Sequence, residues 1–180
     1  MDNEHHFIQR LTQPATKEAA FKELLSLYKE RLYWHIRHII KSHDDTDDVL
    51  QNTFIKVYKN IDNFKGDSKL FSWMYRIATN ESLTHLNKNV KHLKFSSEEL
   101  QQHAINNLKA DVYFEGKDIQ LKLQQAIAIL PEKQQLVFNM RYFQDIKYKD
   151  LSDILETSEG ALKASYHIAV KKIEAYLTQD

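Results

Sequence analysis

The sequence predicts an all-α protein made of two small helical domains joined by a linker, the C-terminal domain being a helix-turn-helix. Apolar residues recur at helical spacing in two long stretches, and a polar stretch of weak periodicity separates them. The 180 residues include only three glycines and two prolines, too few for the turns of an all-β fold or for glycine-rich phosphate loops. A hydrophobic content of 42% indicates globular domains rather than a disordered chain.

The first predicted domain spans residues 1–90 and begins with two amphipathic helices. Apolar residues from Phe21 to Ile39 recur with a helical period, which predicts one long helix over 16–41. The acidic cluster at 44–48 then offers N-cap candidates and favourable charges for the dipole of a second helix. We expect that second helix to end near residue 60, with an apolar face formed by Leu50, Phe54, Val57 and Ile61.

A third helix completes the first domain after a predicted loop at residues 63–67. Asp67 or Ser68 is the candidate N-cap, and the helix runs to about residue 88. Residues 91–118 mix serine, glutamine and acidic residues with few strong apolar anchors, and we interpret them as the linker.

The second predicted domain, residues 119–180, starts with apolar residues at helical spacing from Ile119 to Leu130. Pro131 stands where the first position of the next helix accepts proline. A short helix over 148–155, a break, and a final helix over 159–177 with Ser158 as N-cap give the pattern of a helix-turn-helix.

The final helix carries a polar face that can enter the major groove of DNA. Lys163, His167 and Lys171 are spaced by four residues and lie away from the apolar stripe. Glu159 and Ser165 are candidate readers of base edges, while the lysines suit phosphate contacts. The alternative is an ordinary helical hairpin with a solvated basic face.

The third helix carries a different signal. Trp73, Arg76 and Asn80 fall on one face, and an exposed tryptophan among polar groups suits stacking on unpaired bases. Phe64 and Lys65 in the preceding loop extend the same surface. The alternative interpretation makes Trp73 and Phe71 part of the core between the domains.

The composition limits the other function classes. The 25 basic and 25 acidic residues balance, so a protein that grips DNA by itself is disfavoured and a larger partner must supply affinity. We predict no metal site, because there is no cysteine and the pair His35 and His38 has no matching carboxylate. No catalytic grouping, cofactor motif, signal peptide or membrane-spanning run is recognisable, so we expect a cytoplasmic protein that is not an enzyme and needs no cofactor.

Five segments resemble extracytoplasmic-function (ECF) sigma factors of the sigma-70 family. DDVLQNTF at 47–54, FKGDS at 64–68 and SWMYRIA at 72–78 resemble the promoter-melting domain. LPEKQQLVF at 130–138 and SEGALK at 158–163 resemble the domain that binds the upstream promoter element. The segments occur in the family's order, and only the linker is unmatched.

The resemblance implies a role for three groups of residues. It places the binding of core RNA polymerase at Asp47, Asp48, Gln51, Asn52 and Phe54. It places the binding of the melted minus-ten strand at Phe64, Lys65, Ser68, Trp73, Arg76 and Asn80. It places the recognition of the minus-thirty-five element at Ser158, Glu159, Lys163, Ser165, His167 and Lys171.

The resemblance also implies the partners, which are core RNA polymerase, promoter DNA and an anti-sigma factor that in this family is often membrane-bound. Many family members have glycine where Glu156 stands and arginines where Ser165, Ile168 and Val170 stand. Two other functions stay open from the residues alone: a stand-alone helix-turn-helix regulator, and a helical protein-interaction module that never touches DNA.

Overall fold

The computed structural model describes residues 2–93 and 118–178, and every regular element in those ranges is a helix. The predicted all-α class is therefore confirmed. The chain divides into two compact units, Met1–His85 and Leu86–Asp180. The predicted linker at 91–118 lies almost entirely outside the described residues.

The first unit contains four α-helices and a short 3-10 helix. In chain order these are α1 (Asp2–Thr12), α2 (Lys17–Ile40), α3 (His43–Asn60), the 3-10 helix Ile61–Asn63, and α4 (Leu70–Leu93), which continues beyond the unit. Helix α2 packs against α1 and α3. Only Lys41 and Ser42 separate α2 from α3, and Lys41 makes the corner in the left-handed conformation, with φ 63°.

Helices α2 and α4 meet through a buried polar contact rather than through apolar groups alone. His35 is fully buried, its Nε2 lies 2.9 Å from Thr79 Oγ1, and its ring contacts that of Tyr75. The Thr79 hydroxyl donates to the Tyr75 carbonyl, so its oxygen accepts from an Nε2–H of the imidazole. His35 thus belongs to the core of the first unit.

Two starting points predicted for helices in this unit are wrong. Helix α3 begins at His43, and its N-cap is Ser42 rather than a residue of the acidic cluster. Asp44 and Asp45 therefore lie in its first turn. Helix α4 begins at Leu70 rather than directly after Asp67 or Ser68. Its first N–H group is instead bound by a residue of α1, the helix that periodicity did not predict.

The second unit contains α5 (Asp118–Ala128), α6 (Glu132–Tyr142), α7 (Tyr148–Leu155) and α8 (Glu159–Leu177). Helix α8 packs against the other three. The core that they share is formed by Ala126, Ile127, Leu130, Phe138, Ala169 and Ile173. Pro131 is the N-cap of α6 and not its first helical residue, one position from the prediction.

Candidate functional site

The outer face of α3 presents four of the five residues predicted to bind core polymerase. Asp47, Asp48, Gln51 and Asn52 are all exposed. Thr46 and Thr53 are buried beside them, and each hydroxyl donates to the carbonyl four residues earlier, which leaves no buried polar group there without a partner. The result is an acidic and amide-rich surface on a rigid helix.

Phe54, the fifth predicted residue, lies on the other side of α3. Only 8% of it is exposed, and its ring meets the edge of Phe21 with centroids 6.4 Å apart. Its side chain therefore stabilises the first unit. Ile55, one helical turn from Gln51 and Asn52, is an apolar side chain of this face that is 44% exposed.

The loop before α4 brings two predicted residues into contact. The rings of Phe64 and Trp73 lie with centroids 5.2 Å apart at a tilt of 50°, and both side chains are half-buried. Between them Lys65 is exposed and Gly66 has φ 79°, a conformation that glycine adopts without steric cost. Ser68 is half-buried at the end of this loop.

Helix α4 has a buried side and an exposed side, as its sequence pattern predicts. Met74 and Ala78 are fully buried, Arg76 is half-buried, and Asn80 is exposed. Phe71 is half-buried and packs within the first unit, where its ring meets that of Tyr75 at 4.6 Å. Trp73 is therefore accessible at one edge and supported by Phe64 at another.

Residues of α1 and α2 form polar contacts close to both ends of this loop. Lys17 Nζ lies 2.7 Å from Asp62 Oδ2, directly before the loop. At the other end, the Leu70 N–H donates to Glu4 Oε1 at 2.9 Å. A carboxylate at a helix N-terminus satisfies an orphan donor and interacts favourably with the dipole, by about 0.3–1 kcal/mol at exposed sites.

The face of α8 that is predicted to recognise DNA is exposed in part. Ser158 caps the helix by accepting from the Ala161 N–H at 3.4 Å, as predicted. Glu159 and Lys163 are exposed but bind each other, with Glu159 Oε2 and Lys163 Nζ 3.5 Å apart. His167 and Lys171 are exposed one and two turns further on, whereas Ser165 is half-buried.

The turn between α7 and α8 keeps a left-handed geometry without glycine. Glu156 is the C-cap of α7 with φ 50° and ψ 43°, and its N–H donates to the Ser152 carbonyl. The Thr157 hydroxyl donates to the Leu155 carbonyl at 3.0 Å. These bonds satisfy the carbonyls at the end of α7, so the turn forms in spite of the side chain at Glu156.

The described residues contain no group of three or more metal-ligand side chains. His38 Nδ1 lies 2.6 Å from the Trp34 carbonyl, and burial lowers the pKa of the His38 imidazole. Burial likewise lowers the pKa of the Lys41 ammonium to about 8. Both shifts arise from burial at the end of α2.

Comparison with protein families identifies the two units. The description "Sigma-70 region 2" matches residues 24–92, and "Sigma-70, region 4" matches residues 120–173. The two regions occur in the family's order and together cover more than half of the chain. The chain belongs to the ECF group of the sigma-70 family. It is an alternative sigma factor that directs RNA polymerase in transcription initiation.

Curated relatives agree with this ECF assignment. The ECF RNA polymerase sigma factor SigW of Bacillus subtilis is 28% identical over 156 residues, which are 82% of this chain and 83% of SigW. The RNA polymerase sigma-H factor of Pseudomonas aeruginosa is 26% identical over 166 residues, 88% of this chain and 86% of that protein. An ECF sigma-E factor of Haemophilus influenzae is 26% identical over 175 residues, with 93% and 91% covered.

Two solved structures share the fold of this ECF sigma factor. The sigma factor RpoE of Bartonella quintana, in complex with the anti-sigma factor NepR, gives a TM-score of 0.67 at 20% identity, covering 89% of this chain and 98% of RpoE. CnrH in complex with the cytosolic domain of CnrY gives 0.70 at 18% identity, covering 98% of both chains. Among the described residues, no helix has the length and apolar character needed to cross a membrane.

Proposed function

We propose that three surfaces of this sigma factor divide the work of initiation. The outer face of α3 docks on core polymerase, the recognition face of α8 reads the upstream promoter element, and the Phe64–Trp73 pair captures unpaired bases of the minus-ten strand. The protein itself makes and breaks no covalent bond.

The core-binding surface consists of Asp47, Asp48, Gln51, Asn52 and Ile55. Protein interfaces commonly combine an apolar centre with a polar rim, and Ile55 supplies the apolar group that Phe54 cannot because Phe54 is buried. The two aspartates give this surface a negative charge, which suits a basic partner surface.

The upstream element is the duplex part of the promoter. Glu159 and Ser165 are the proposed base-edge contacts, and Lys163, His167 and Lys171 support the phosphate contacts, with Ser158 fixing the start of the helix. A recognition helix reads bases with its N-terminal residues and contacts phosphates further along. The ion pair between Glu159 and Lys163 is exposed and is worth at most about 1 kcal/mol, so Lys163 can exchange it for a phosphate contact.

Strand opening follows from differential binding. The pair of Phe64 and Trp73 is the observation that carries this proposal: two aromatic rings 5.2 Å apart, with Lys65, Ser68, Arg76 and Asn80 nearby in the loop and along α4. Aromatic rings gain stacking energy only with a base that has left the duplex. The site therefore favours the open state over the closed one and shifts the equilibrium toward melting.

Regulation by an anti-sigma factor belongs to the same proposal. The solved structure of RpoE is a complex with the anti-sigma factor NepR, and the family resemblance implies the same class of inhibitor here. We place the protein's action in the cytoplasm, where core polymerase meets the chromosome.

The test is reconstitution with sigma-free core polymerase on genomic promoter fragments. We expect defined transcript starts, permanganate-reactive thymines upstream of each start, and neither in reactions without the chain. If the chain binds no core and creates no start sites, the sigma function is refuted. If the chain alone protects DNA as a dimer, it is the stand-alone regulator. If it forms complexes with other proteins that contain no core polymerase and do not depend on DNA, it is the interaction module.

A further inference from the structure

The minus-ten loop, residues 64–69, lies outside the helices and connects the 3-10 helix to α4. The Phe64 N–H donates to the Ile61 carbonyl, and the Ser68 hydroxyl lies 3.5 Å from the Lys69 carbonyl. Gly66 has φ 79°, and a side chain placed there would meet nothing within 4 Å. Contacts at the two ends of the loop therefore contribute to its position.

The start of the loop is held by Lys17, the first residue of α2. Its ammonium lies 2.7 Å from Asp62 Oδ2 and 4.9 Å from the centre of the Tyr58 ring, and its side chain is only 16% exposed. A partly buried ion pair with a second contact fixes its geometry better than a fully solvated pair does.

The end of the loop is held by Glu4 of α1. Glu4 Oε1 accepts from the N–H of Leu70, the first residue of α4, at 2.9 Å. Three residues further along α4 stands Trp73, so this bond acts on the turn of helix that carries the tryptophan. Residues 4 and 70 are far apart in sequence. The bond between them therefore makes the position of the minus-ten loop depend on the position of α1.

Helix α1 is itself fixed on the first unit. Leu11 is fully buried, and Arg10 Nη1 lies 2.9 Å from Glu23 Oε2 on α2. The cavity at this junction, about 490 Å³, is lined by residues of α1 and α2 and by Lys69, Leu70 and Phe71. The Glu4 carboxylate is thus presented from a docked helix rather than from a free terminus.

We propose that Glu4 is a positioning residue for minus-ten strand capture. Together with Lys17 it forms a bracket, defined here as the Glu4–Leu70 and Lys17–Asp62 contacts, that holds the loop so that Phe64 supports Trp73. The bracket sets how well the aromatic pair is preorganised for an unpaired base. This inference rests on the minus-ten role proposed above for Trp73.

The first test measures the bracket in the whole chain without DNA. The chain has two tryptophans, so Trp34→Phe leaves Trp73 as the sole tryptophan, whose emission can be excited selectively over that of the tyrosines. In that background we expect Glu4→Ala to raise acrylamide quenching of Trp73 and to speed hydrogen exchange of the Leu70 amide roughly tenfold, the effect of losing one hydrogen bond. Glu4→Gln retains an acceptor oxygen and should preserve most of the protection. Glu30→Ala, at an exposed position on α2, is the matched control.

The second test uses the reconstituted holoenzyme. Glu4→Ala should reduce open-complex formation by roughly fivefold through misplacement of the stacking group, with core affinity and upstream duplex binding unchanged. Lys17→Met, which removes the contact at the other end of the loop, should likewise reduce open-complex formation and leave core affinity and upstream duplex binding unchanged. If these residues only stabilise the fold, their substitution would instead lower the unfolding midpoint together with open-complex formation, core affinity and upstream duplex binding. That result would overturn the proposal.

The outcomes separate this inference from the proposed function. If Trp73→Ala reduces opening but Glu4→Ala and Lys17→Met do not, the bracket is refuted and the function stands. If Trp73→Ala leaves opening intact, the minus-ten assignment itself fails, and with it the role of the bracket. Unchanged exchange of the Leu70 amide in Glu4→Ala would refute the bracket by itself.

Discussion

At the scale of single residues, the half-buried state of Trp73 supports the proposed stacking role over a role in the core. A core tryptophan would be fully enclosed, and a purely solvent-exposed one would have no support. Trp73 contacts the Phe64 ring and is neither fully buried nor fully exposed, which suits stacking on an unpaired base. Its immediate neighbour Met74, fully buried, performs the packing role instead.

We therefore expect Trp73→Ala to reduce open-complex formation while core affinity stays unchanged. Loss of one stacking contact is worth about 1–3 kcal/mol, or roughly 5- to 150-fold in the open-to-closed ratio. Permanganate reactivity on a mapped promoter measures the effect, and Trp73→Phe should recover much of it. Unfolding of the first unit by Trp73→Ala would show that the residue belongs to the core.

At the scale of structural elements, the turn of the helix-turn-helix carries a measurable strain. Glu156 has φ 50°, where a side chain is disfavoured and glycine is not. We expect Glu156→Gly to stabilise the second unit by about 1 kcal/mol, read as a higher urea midpoint. Thr157→Gly should destabilise it, since the hydroxyl bond to the Leu155 carbonyl is lost. A lower midpoint for Glu156→Gly would contradict the strain argument.

Helix α8 gives a second prediction at this scale, which concerns phosphate contacts. Lys163→Ala in the holoenzyme should weaken upstream binding for all sequences and reduce the slope of log affinity against log salt by about 0.9, the value for one phosphate. Lys172→Ala is the matched control, because Lys172 contacts Gln134 of α6 at 3.1 Å. Equal losses from both variants would show that only the net charge of the helix matters.

Periodicity and capping residues predicted most helices, including the starts of α7 and α8, but they misplaced the starts of α3 and α4. Periodicity identified α2, α3, α4 and α8 because each has a regular apolar stripe. It missed α1, since Asp2–Thr12 has few apolar residues and docks through long-range contacts. The start of α4 was misplaced for the same reason: the partner of its first N–H group is Glu4, and no local pattern reports a bond between such distant residues.

The candidate site shows a similar limit. Helical spacing already placed Phe54 on the apolar face of α3, whereas resemblance placed it on the polymerase surface, and its burial supports the spacing. The exposure of Ile55 and the contact of Phe64 with Trp73 depend on how α3, the loop and α4 pack. Resemblance could locate these segments, but only tertiary structure shows which side chains reach the surface.

At the scale of the whole molecule, charge balance sets how the protein uses DNA. With 25 basic and 25 acidic residues, and with Lys163 already paired to Glu159, the chain can neutralise few phosphates without a partner. We expect the isolated chain to show weak DNA binding with a shallow salt dependence, and the holoenzyme to bind tightly. Fluorescence anisotropy across a salt series measures both, and tight binding by the chain alone would contradict this expectation.

The two-residue corner at Lys41 and Ser42 also affects the order of folding during synthesis. Helices α2 and α3 are adjacent in sequence, so their contact closes a short loop and can form early. The bond between Glu4 and Leu70 must wait until residue 70 has left the ribosome, because synthesis proceeds from the N-terminus. We therefore expect the hairpin of α2 and α3 to form before the bond between Glu4 and Leu70. A nascent chain would then have the helix proposed to dock on polymerase before the loop proposed to hold a promoter strand is in place.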